Sequence, residues 1–192
     1  MAERLPTTAA QAGIWAGQRL DPTNPAYVAA EYVLLRGPLE PAAFEVALRR
    51  TVAEAPALHA RFPDQDTQVI EPAGDWPLPR LRRAALADAE AWMRADLATP
   101  VDPGTGPLFG HALIDLGADT HLWYHRIHHI GADGYAFAML ATRVADRYRA
   151  VVTGGDPPRD GFGPLRPVVD EDLAYRASAR HRDYRDFWLA HL

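Results

Sequence analysis

The densest group of side chains able to move a proton is His128, His129 and Asp133, within the run HHIGADG. A neutral imidazole can accept a proton from an incoming amine or hydroxyl, or orient it, near physiological pH. His129 is the candidate for that role. Asp133 could hold a backbone amide at a helix start, pair with an arginine or orient the imidazole, and spacing leaves all three open. The plain alternative is that two histidines end a strand and an aspartate caps a helix, with no chemistry at all. The chain has no Cys and no G-x-S-x-G run, so direct transfer assisted by histidine is favoured over a covalent acyl-enzyme. His121, His125 and His129 share strand parity. Spaced four residues apart along an extended chain, they are too spread for one zinc ion.

These groups need a strand-to-helix corner to hold them. Residues 121–127 are rich in aromatic and β-branched side chains, and successive side chains of a strand point to opposite faces. His128 and His129 therefore cannot share surroundings: one faces packing, the other a cleft. Gly131 and Gly134 let the chain turn. Phe137, Leu140, Ala141, Val144 and Tyr148 then recur at helical spacing to about residue 152. Residues 107–116 and 120–128 predict a central antiparallel hairpin turning at Gly117, Ala118 and Asp119.

Around this centre, residues 6–20 predict an amphipathic helix capped by Thr7 or Thr8, and residues 27–35 a strand with Glu31 its lone charge. Residues 40–55 predict a helix with Pro41 in its first turn. Short strands at 58–62 and 67–70 flank the turn PDQD, and residues 72–84 read as irregular. A helix over 85–97, a Gly/Pro-rich loop over 153–167 and a charged helix over 169–192 complete the chain. The expectation is one α+β layer structure, a mixed sheet flanked by helices.

The chain's 192 residues, 48% of them hydrophobic, suffice for a packed core. A net charge of −5 with no basic run argues against nucleic-acid binding. The first residues lack an apolar leader and no apolar run approaches the roughly 18 residues needed to cross a bilayer, so no membrane role and a cytoplasmic location are expected.

HHIGADG resembles the HHxxxDG signature of the condensation domains of nonribosomal peptide synthetases, in the chloramphenicol-acetyltransferase-like superfamily. LPTTAAQAGIW is similar to the family's opening motif through Ala10, Gln11, Ile14 and Trp15. EAPALHARF lies where the family carries an Arg-His-Glu and then Leu-Arg motif. The resemblance looks closest to enterobactin-type siderophore synthetases and covers nearly the whole chain.

The resemblance implies a chloramphenicol-acetyltransferase-like fold and, for residues 1–192, the N-terminal lobe of a two-lobed condensation domain whose C-terminal lobe is absent. An excised piece is favoured over a natural half. The implied activity is amide-bond formation between a donor acyl or aminoacyl thioester and an acceptor aminoacyl thioester, both on phosphopantetheine arms of peptidyl carrier proteins. No cofactor is bound directly and no metal is needed. His129 becomes the active-site residue, His128 mostly structural, Asp133 a loop-holding salt-bridge partner and Gly134 a channel-lining residue. Glu54 and His59 replace the family's arginines, so a partner for Asp133 would have to be Arg61 or Arg126, or be absent. The remaining alternatives are a non-catalytic carrier-docking lobe, an ester-forming enzyme or a coenzyme A-dependent acyltransferase. A face left bare by the missing lobe could drive self-association.

Overall fold

The computed structural model describes residues 2–156 and 161–192. Its centre is a four-stranded mixed sheet in the order β2-β7-β6-β5, built from Val28–Arg36, Thr120–His128, Phe109–Gly117 and Arg80–Arg82. β7 pairs antiparallel with both β2 and β6, while β5 runs parallel to β6. Ala118 and Asp119 take the left-handed conformation between β6 and β7, as a tight hairpin turn requires.

Alternation along β7 divides the interior. Trp123 and Ile127 face helices α2 (Pro41–Ala53) and α4 (Gly134–Thr153), packing with Phe44, Leu48, Phe137 and Leu140. Leu122 and Tyr124 face the other way, onto Ala89 and Met93 of α3 (Leu86–Leu97). A central strand covered on both faces must be apolar on both, which is why its sequence gives little alternation.

A second sheet, β1-β4-β3, pairs Glu3–Pro6, Thr67–Ile70 and Ala60–Arg61. Its core of Leu5, Phe62 and Ile70 joins Leu108, Ile130 and Val169, with Ile14 and Trp15 of α1 (Ala9–Leu20) against it. Thr8 caps α1 in a capping box with Gln11.

The expected elements are present with four corrections. Residues 58–62 are not one strand: Pro56 starts a 3₁₀ turn, Pro56–His59, because its fixed φ suits a first helical position, and only Ala60–Arg61 pair with β4. The stretch read as irregular contains β5, a three-residue edge strand in which Leu81 alone packs inward. The proposed first helix begins later, because residues 3–6 form β1. The last predicted helix is two, α5 (Arg166–Ala177) and α6 (Ala179–His191), since the Ser178 hydroxyl accepts the His181 amide and caps a new start. Of the expected loop after α4, residues 157–160 lie outside the described residues. Gly154, left-handed at φ 66°, ends α4.

Leu48 is fully buried between α2, α4 and the sheet. Leu48→Ala is expected to cost about 2–5 kcal/mol of unfolding free energy, measured by urea denaturation.

Candidate active site

β7 delivers its last residues to the corner held by two neighbours. The His128 amide donates to the Leu108 carbonyl on one side at 2.7 Å, and the His129 amide to Tyr27 on the other at 2.7 Å. The chain then folds back, Gly131 N–H reaching the His128 carbonyl at 3.0 Å. A Cβ on Gly131 would stand 3.0 Å from both the Ala57 carbonyl and Leu108 Cδ1, so a larger residue there would push one of them aside.

His128 is fully buried. Its Nδ1 accepts the Ile130 amide at 3.1 Å, so Nε2 carries the proton and donates to Gln18 Oε1, also at 3.1 Å. Gln18 in turn donates to the Asp21 and Asn24 carbonyls. Burial, followed by the neighbouring His129, holds the His128 pKa down to about 4. His128 is thus a neutral tie between β7 and α1. Ile130, 2% exposed, anchors the other side of the loop in the lower core.

Between these two anchors His129 faces outward, exposed. Its Nδ1 lies 3.1 Å from the Ala132 carbonyl. A carbonyl oxygen only accepts, so Nδ1 carries the proton and Nε2 presents its lone pair. Asp133, at φ −110° and ψ −177°, caps α4 by accepting the Ala136 amide at 3.0 Å. Gly134 has open space where a Cβ would project.

The structure brings the three sequence motifs together. Trp15 Nε1 donates to the Phe62 carbonyl, Gln11 pairs with Gln68, and Ala57 closes against Gly131. The expected salt bridge to Asp133 is not formed among the described residues. Arg61 pairs instead with Glu71 at 3.1 Å, and Arg126 with Asp96 at 2.8 Å. Glu54, standing where the family pattern carries arginine, pairs with Arg147 of α4. His59 is half-buried with no partner on Nε2 among the described residues, and burial lowers its pKa.

Sequence reasoning passed over Gln18 and the Ala132 carbonyl. Gln18 lies 110 residues from its histidine and sits on a helix read as ordinary packing. The three histidines of equal parity have separate fates. His121 approaches Asp115 at 3.8 Å, His125 is buried against Glu31 at 3.0 Å, and His129 lies beyond the strand end.

A model of the condensation domain family matches residues 1–192. The chain belongs to the condensation domain family. Among relatives of this condensation-domain chain, isonitrile lipopeptide synthase from Streptomyces coeruleorubidus is 46% identical over 98% of the chain and 13% of that protein. The dimodular nonribosomal peptide synthase of Bacillus subtilis (strain 168) is 44% identical over 95% of the chain and 8% of that protein. Enterobactin synthase component F of Escherichia coli O157:H7 is 32% identical over 98% and 15%. The starter condensation domain of rhizomide synthetase, solved as a variant with C8-CoA and Leu-SNAC, superposes with a TM-score of 0.90 at 36% identity, over 98% of this chain and 45% of that one. The chain thus spans a small part of these synthetases and about half of the solved condensation domain.

His125, like His128, is held by burial at about 4. The unfolded chain therefore takes up protons before the folded one as pH falls below about 6.5, and acid favours unfolding. Each such histidine withdraws on the order of 3 kcal/mol as pH falls from about 6.5 to about 4. Unfolding free energy measured over that range should drop, and less steeply in His128→Asn. A flat profile in the parent would refute the neutral assignment.

Proposed function

We propose that this chain carries the reacting side of an amide-forming condensation domain. One observation supports the reading above others: a surface imidazole whose Nδ1 is committed to a carbonyl and whose Nε2 is free, clamped between two buried neighbours. Nε2 accepts a proton from the acceptor amine as its nitrogen attacks the donor thioester carbonyl. A C–N bond forms, the C–S bond breaks, and the thiolate leaves and takes up the proton. His128 supports the strand end, Asp133 the helix start, and Gly134 leaves room for the approaching arm.

Both thioesters are carried on phosphopantetheine arms of donor and acceptor carrier proteins, which are the partners. We read the chain as the N-terminal lobe of such a domain, as the motif resemblance implies; a superposition over just under half of a solved domain is consistent in size with one lobe of two. The exposed Phe187, Trp188 and Leu189 of α6 suit a face covered by the other lobe, or by a second copy in its absence. No described helix is long and apolar enough to cross a membrane, and synthesis on carrier proteins suits the cytoplasm.

Taken alone, the chain should form negligible amide, since His129 stands open to water and nothing here holds two substrates in attacking geometry. In the complete domain, His129→Ala is expected to lower amide formation by roughly 10²–10⁴-fold while carrier binding persists. Product formation from loaded carriers, followed by mass spectrometry, checks this. Unchanged product would favour a docking lobe.

A further inference from the structure

Behind the His129 loop lies a cavity of about 200 Å³. Leu58, Ile127 and Leu140 form its deeper wall, and Ala132, Ala136 and Phe162 its rim. Among the described residues, every side chain lining it is apolar or absent. Ala132 also supplies the carbonyl that holds His129 Nδ1. The cavity wall and the holder of the imidazole are therefore the same residue.

A group attached to the reacting carbonyl could be buried there. An apolar cavity of about 150 Å³ takes a benzene molecule, so 200 Å³ takes an aliphatic tail of about eight carbons. Each methylene that enters tightens binding about fourfold. A hydroxyl or ammonium has the opposite effect, because it gives up water and meets no polar side chain. Two ring hydroxyls double that loss.

We infer that this pocket receives the aliphatic acyl chain of the donor thioester and discriminates against aminoacyl and dihydroxyaryl donors. The inference rests on the condensation reading for the word donor, but its test reads binding alone.

The 192-residue chain is labelled at its methyl groups and titrated with octanoyl-pantetheine and, separately, with 2,3-dihydroxybenzoyl-pantetheine. Octanoyl-pantetheine is expected to shift the methyl resonances of Leu58, Ile127 and Leu140. It should bind at least about tenfold more tightly than the dihydroxybenzoyl compound. Ala136→Phe fills the cavity and should weaken octanoyl binding about tenfold or more. Phe162→Ala opens the rim and should move the preferred chain from octanoyl to decanoyl, which decides the matter if Ala136→Phe does not fold. Silent methyls, equal affinity for the two probes, or an unmoved length preference in Phe162→Ala would overturn the proposal. A complete domain with His129 intact that binds octanoyl-pantetheine yet forms no amide from loaded carriers would instead count against the catalytic reading.

Discussion

Everything at the corner depends on His128 being buried and neutral. Its ring takes one hydrogen bond from the Ile130 amide and gives one to Gln18. An imidazolium could not accept the first, and with no protein partner for a second donated proton it would break the turn that presents His129. Neutrality is enforced chiefly by desolvation, to which the adjacent His129 adds. The catalytic candidate is thus positioned by an interior residue of the same type. Two adjacent histidines serve opposite ends because strand alternation sends one into the core and the other out of it.

How far this was legible in the sequence follows from the range of each interaction. The hairpin, α4 and the opposite facing of His128 and His129 rest on local periodicity and were readable, whereas which of the two faces inward was not. Asp133 as a cap was readable too, as one of three options, and it is the option realised. Missed features depend on partners distant in the chain. β1 and β5 exist through pairing with Thr67–Ile70 and Leu113–Asp115, and a three- or four-residue edge strand has too little pattern to show itself. Gln18 is polar on an amphipathic helix, an unremarkable feature until the fold brings His128 to it.

Of the outcomes left open for Asp133, the absence of a salt bridge is the one found among the described residues, for a reason that the surrounding charges make plain. Arg61 and Arg126 already have carboxylates within 3.1 Å and 2.8 Å. Glu54 cannot serve an aspartate, and its change of sign is matched by Arg147, which sits buried on α4 beside it. That pair joins the C-terminal end of α2 to α4, so the charge at this position stabilises helix packing instead of the loop. The loop is held by backbone hydrogen bonds, a cap and two buried side chains, none of which needs a cation. The carboxylate in the loop, Asp133, is turned to the α4 N-terminus rather than to a cation.

Preorganisation and exposure are therefore separable in this fold. The imidazole is fixed in tautomer and direction by Ala132, yet its free nitrogen faces solvent. Fixing the base removes an orientational cost from the transition state, whereas water around it weakens every electrostatic contribution the site could make. The first requirement is met by residues of one strand-to-helix corner. Under the proposed condensation reading, the second falls to what closes the open side: the substrate arms and the part of a condensation domain that this chain does not span. In that reading, a rigid wall carrying the base and a separate wall closing over it would let two carrier-bound arms enter from outside, which a sealed pocket could not allow.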